Sequence, residues 1–287
     1  MKKILFFFAF FFFQFGFSQQ TDFLKIKKFE VAVFSDTLSE NSGLTFFKEN
    51  LLTINDSGNS SEVFTINKKN GTIINRIATN LKNTDWEAIT SDSIHIYIGD
   101  FGNNLGNRKD LKVFQIPSDS ITNAKEIPYY YPEQKEFVPK NLKNNFDAEA
   151  MIYLNGKIHI FTKEWASKAT SHYTIDPQIS EIQAAEKLET FPTDFVVTDA
   201  SYFNKKLYLV GYTKNTEVFL SVFNETKKGF FFETKPQKFY LGSALSVGQI
   251  EGIAVNQTGI YISGEKFVTP VGNSKPRLYF IPHEKIK

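Results

Sequence analysis

From about residue 21 onward, short runs rich in Val, Ile, Phe, Tyr and Thr alternate with clusters of Asn, Asp, Gly, Ser and Lys. That spacing predicts strands joined by tight turns. Residues 181–189 come nearest to a helical period, and only weakly.

The strands belong to a repeat. Five segments place a polar residue before a small one: Ser42-Gly43-Leu44, Glu87-Ala88-Ile89, Glu149-Ala150-Met151, Asp199-Ala200-Ser201 and Glu251-Gly252-Ile253. About ten residues after each anchor lies the middle of an apolar strand, containing Leu52, Tyr97, His159, Tyr208 or Tyr261. Third strands are predicted at 63–66, 111–116, 172–175, 218–222 and 277–281, and fourth strands at 72–77, 126–131, 185–191 and 230–240. The fifth unit runs out of chain before its fourth strand. Residues 28–34, in which Phe29, Val31 and Val33 alternate with Glu30, Ala32 and Phe34, can supply it.

An all-β fold follows: a β-propeller of five four-stranded blades, closed by the N-terminal strand, which protects the blade edges and fastens the ring. A β-sandwich would account for the strand density but not for five recurrences of one anchor. The anchors are 45, 62, 50 and 52 residues apart, and the longest interval leaves room for an irregular sixth blade as the alternative.

The first residues bear on compartment. Lys2 and Lys3 precede an unbroken apolar run, 4–13, and a polar stretch with small residues at Gly16 and Ser18. This is the anatomy of a secretory signal peptide over 1–18, cleaved after Ser18, leaving 19–287 as a single propeller domain. The run falls short of the ~20 residues a membrane-spanning helix needs. A periplasmic or extracellular protein is expected, with no membrane insertion after cleavage. The chain has no cysteine, which excludes disulfides, thiolate metal sites, thiol nucleophiles and a thioether-linked lipid anchor. Without Lys2 and Lys3, the 33 basic residues become 31 and balance the 31 acidic ones. A balanced chain offers no electrostatic footing for nucleic acid. A monomer is expected.

In a propeller the start of each first strand and the end of each second strand meet at one face. Here those positions carry Glu40, Asp85, Glu87, Asp147, Glu149, Asp199 and Glu251, and opposite them Asn55, Asp56, Asp100, Lys163, Glu164, Tyr212 and Glu265. So many carboxylates around a narrow mouth must take up protons, accept backbone N–H bonds or share a cation. Two readings stand. The side chains cap amides and hold the blades in register, or they form a hard-cation site, calcium before zinc, with Glu87, Glu149, Asp199 and Glu251 as metal ligands. Glu40, Asp56, Asp100, Asn103, Lys163, Tyr212 and Glu265 are then the candidates for binding a ligand. His95, His159, His172 and His283 lack ligand spacing. Trp86 and Trp165 flank the acidic positions and could stack on a ring or pack in the core. No Gly-x-Ser-x-Gly, His-Glu-x-x-His or P-loop motif is present.

Asn55-Asp56-Ser57-Gly58, Asp85-Trp86-Glu87-Ala88-Ile89, Tyr97-Ile98-Gly99-Asp100-Phe101-Gly102-Asn103-Asn104 and Asp147-Ala148-Glu149-Ala150 resemble a group of secreted bacterial propeller proteins. The leader ending Phe17-Ser18-Gln19 is similar to those of Bacteroidota. More distantly, residues 85–116 resemble a blade of the calcium-dependent phytases, and the general form resembles the gluconolactonase-like propellers. A phytase-like site implies several Lys and Arg at the mouth, where only Lys163 and Arg108 stand. A lactonase-like site implies Glu, Asn and Asp ligands, for which Glu40, Asn103 and Asp199 are available. The expected function is a secreted binding propeller that recognises a small molecule, glycan or protein at an acidic mouth, through calcium. The alternative is a metal-dependent hydrolase of phosphoester or lactone type.

Overall fold

The structure, a computed structural model, describes residues 21–119, 123–270 and 272–286. The expected leader, residues 1–18, lies outside the described residues. Five sheets follow one another along the chain, each opening with the strand that carries a repeat anchor. Those strands are Asn41–Phe47, Trp86–Ser91, Ala148–Leu154, Val196–Phe203 and Gln249–Asn256, and each neighbours the next in a closed ring. The fold is a five-bladed β-propeller. Among the described residues the long second interval holds no sixth blade; its extra length is taken up by the irregular stretches 101–111 and 131–147.

Within each blade the later strands pair antiparallel outward from the axis. The last blade ends on Arg277–Pro282 and is completed by Glu30–Val33, antiparallel beside it. The N-terminal closure expected from the sequence is therefore present, but a different set of side chains is buried. Val31 is skipped in the pairing, and Val33 is 43% exposed. Leu24, Ile26 and Phe34, on either side of the strand, enter the core instead. The bulge breaks the two-residue alternation on which the expected burial of Phe29, Val31 and Val33 depended.

Two smaller differences concern blade edges. Blade four's outer strand is Gln237–Ser243, later than 230–240, and Thr21–Phe23 lies parallel outside it as a fifth strand. Gln183–Ala184 pairs parallel with blade two's edge, while Glu186–Phe191 supplies blade three's fourth strand at the place expected, 185–191. The core lies between blades: Ile54 and Val63 of blade one meet Ile98 and Phe114 of blade two, and Trp86 is wholly buried among them. Among the described residues no helix is long and apolar enough to cross a membrane.

Candidate functional site

Each innermost strand skips one residue in its pairing with the second strand, at Gly43, Glu87, Glu149, Thr198 and Glu251. A bulged residue leaves the regular alternation, and its side chain is re-aimed. Three of the five are glutamates, and all three are buried. Gly43 has φ +67, and a Cβ there would come within 2.8 Å of the Ile89 amide nitrogen, so blades one and two close at that point only around glycine. The bulges also correct the repeat. Ser42 lies one residue before, and Asp199 one residue after, the position equivalent to Glu87, so neither is its structural counterpart.

The glutamates open onto a cavity of about 340 Å³. Seven of the expected site residues line it: Glu87, Glu149 and Glu251 from the bulges, and Asp56, Lys163, Tyr212 and Glu265 from the ends of the second strands or the residue after. Gln249 and Trp165 share the wall. Lys163 forms a buried ion pair with Glu149 Oε1 and lies 5.4 Å from the Tyr212 ring centre and 5.8 Å from that of Trp165. Its ammonium also acts electrostatically on both Tyr212 and Glu251. Gln249 Nε2 donates to Glu251 Oε1 at 2.7 Å and to Glu265 Oε1 at 2.6 Å.

The remaining four expected residues have other work. Glu40 is exposed on the rim, where Asn59 Nδ2 donates to it at 2.7 Å. Asp100 accepts from the Asp85 amide at 3.1 Å and from Arg108 Nη2 at 2.9 Å. Asn103 is tied to Phe146 O and to the Arg108 amide, so both side chains fix the 100–110 loop. Asp199 spends its oxygens on backbone: Leu44 N at 3.1 Å, Ile253 N at 2.7 Å and Ala200 N at 2.8 Å. The amide-capping role therefore holds at Asp199, and Glu87, Glu149, Asp199 and Glu251 do not make a single ligand set. Glu40, Asn103 and Asp199 are likewise committed to separate partners. Among the described residues, the one acidic trio with an oxygen from each within 4.8 Å of the others is Asp56, Asp85 and Glu87. Gly102 stands against it, where a Cβ would overlap the Asp85 and Glu87 carboxylates.

Burial sets the electrostatics of the mouth. It pushes Asp56 up to about 6, Asp147 to about 6 and Glu251 to about 7, and it raises Asp85. Glu87, Glu149 and Glu265 rise well above the usual carboxylate range, through burial first; neighbouring carboxylates add to the rise and Lys163 opposes it, most strongly at its ion-pair partner Glu149. Carboxyls raised above their unfolded values near 4 hold more protons folded than unfolded, so stability must rise as pH falls through that interval. In the presence of a chelator, the melting temperature should climb between about pH 8 and about pH 5. A fall over the same interval would contradict the protonated mouth.

A second titratable group lies away from the mouth. His159 Nδ1 and His172 Nε2 are 2.7 Å apart, and His172 Nδ1 is 3.0 Å from Glu189 Oε1. Glu189 accepts the amides of Phe231 and Phe232, so the group pins blade four's loop to blade three. Burial depresses His159 to about 3. The sequence held the signal for it: two histidines in the second and third strands of one blade. The part Asp85 plays was also legible, because it stands two residues before Glu87.

No protein-family model matches the chain, and no curated protein does. Solved propeller structures resemble it at low identity. Hydrazine synthase from Kuenenia stuttgartiensis gives a TM-score of 0.42 at 12% identity over 80% of this chain; the chain spans 57% of that one. The PQQ-bound aldose sugar dehydrogenase of Streptomyces coelicolor gives 0.47 at 10% identity, over 87% of this chain and 96% of the other. A glucose dehydrogenase-type oxidoreductase of Thermus thermophilus gives 0.47 at 10%, over 87% and 98%. Similarity this distant leaves the function to the chemistry of the mouth.

Proposed function

We propose that this is an exported binding propeller whose channel mouth holds a divalent cation, calcium before zinc, on Asp56, Asp85 and Glu87, and takes a small ligand in the adjoining cavity. The observation that carries this reading is the convergence of the three carboxylates, with oxygens within 4.8 Å of one another. Anions so close, in a mouth where burial already opposes ionisation, need protons or a cation. The donors are oxygens alone, which suits a hard cation. Calcium takes 6–8 oxygen ligands, so three carboxylates leave coordination positions for water or a bound ligand.

A cation bound only by the folded state stabilises it by mass action, by roughly 2.7 kcal/mol at a hundred times Kd. Calcium should therefore raise the melting temperature progressively, and the pair Asp85→Asn with Glu87→Gln should remove that response. The same pair should leave the metal-free protein as stable as before or more so, because it relieves repulsion between like charges. A melting temperature indifferent to calcium would overturn the proposal.

A further inference from the structure

Fully ionised, the carboxylates of the mouth carry more charge than one divalent cation and one lysine can balance. Six carboxylates, Asp56, Asp85, Glu87, Glu149, Glu251 and Glu265, face the single ammonium of Lys163. With calcium on the first three and Lys163 on Glu149, the Glu251–Glu265 wall has charge still to be met by protons or a further cation. Gln249 neutralises none of it, since an amide donates hydrogen bonds but carries no charge.

A second, independent feature lies on the same side. Glu149 Oε2 and Glu251 Oε2 are buried with no hydrogen-bond partner, in side chains only 3% and 6% exposed that line the cavity. An unpartnered buried carboxylate oxygen is costly, and a donor supplied by a ligand removes that cost. Tyr212 and Trp165, whose rings already face the Lys163 ammonium, give the same wall the aromatic surfaces that attract a cation. The cavity, at about 340 Å³, is at the lower end of small-molecule sites.

We infer that the Glu149–Glu251–Glu265 side of the mouth is a binding site for a small organic amine, whose ammonium donates to the unpartnered oxygens of Glu149 and Glu251. This names the ligand class for the cavity proposed above. It rests on the calcium reading only for charge balance; the orphaned oxygens stand without it. A neutral polyol would bring no charge to take the place of the wall's protons, and an anionic ligand would oppose ionisation of the wall.

Putrescine is a suitable probe, with butanediol as its neutral counterpart. Titrated calorimetrically into the calcium-loaded protein, putrescine should bind and butanediol should give no saturable heat. Glu251→Gln and Glu265→Gln should each weaken putrescine about tenfold or more. Both should keep the calcium-dependent rise in melting temperature, which shows that the fold and the Asp56–Asp85–Glu87 trio are intact. Binding that is absent, shared equally by butanediol, or unchanged in both variants overturns the amine site while the calcium response stands. If the calcium response is missing, the cation reading fails by itself. Putrescine binding that depends on Glu251 would then still uphold the amine site.

Discussion

A chain that begins at Ser35 is expected to lose at least about 5 kcal/mol of folding free energy, most of what a domain of ordinary stability possesses. The loss has three sources. Leu24, Ile26 and Phe34 leave the core, each contributing roughly 1.5–3 kcal/mol by burial. The Arg277–Pro282 strand loses its antiparallel partner Glu30–Val33 and becomes an open edge. The Arg277–Glu30 ion pair between those strands goes with them. Closing a ring with strands from both ends of the chain makes the first segment part of the last blade, so the truncation should abolish a single cooperative transition. Phe34→Ala in the full chain is the milder control, expected to cost about 3–5 kcal/mol while leaving the fold intact. Urea denaturation of both chains is the measurement. A truncated protein with the parent's midpoint would show that the ring holds without its N-terminal strand.

That closure could be read from the sequence because the fifth unit lacks an outer strand and residues 28–34 alternate like one. The anchors were legible for a similar reason: a small residue follows each polar one, and the small residue recurs because innermost strands pack tightly around an axis. The bulge was not legible. It adds one residue to each innermost strand, and a repeat aligned on residue type chose Ser42 and Asp199 where the backbone aligns Gly43 and Thr198. The slip mattered because it turned a brace into an expected metal ligand. The grouping of Asp56 with Asp85 and Glu87 depends on how two loops from adjacent blades fold towards each other, which no strand pattern encodes. Thr21–Phe23 went unseen because three residues carry too little pattern. The cavity's seven residues were nevertheless found from one topological fact, that first-strand starts and second-strand ends share a face.

Asp199→Ala is expected to cost about 4 kcal/mol, equally with and without calcium. The wild-type carboxylate is fully buried at the axis and joins three blades. It accepts the amides of Leu44 in blade one, Ala200 in its own strand and Ile253 in blade five. Burial pushes its pKa up, and the three N–H donors oppose that shift. Alanine leaves three buried donors without their acceptor, at about 1–3 kcal/mol each before any water is admitted. Asparagine keeps one oxygen but turns an NH2 towards amides that are themselves donors, so Asp199→Asn should fall between alanine and the parent. Blades one and four are not neighbours in the ring, so Asp199 bonds across the channel where Thr198 bonds only to the adjacent blade, through Ile250 O at 2.6 Å. Thr198→Val should accordingly cost less, about 1 kcal/mol. Denaturation of the three variants, each with calcium and with chelator, separates the roles of this aspartate. A loss confined to the calcium-loaded protein would make Asp199 a cation ligand, whereas an equal loss in both conditions establishes it as the brace that holds the innermost strands around the mouth.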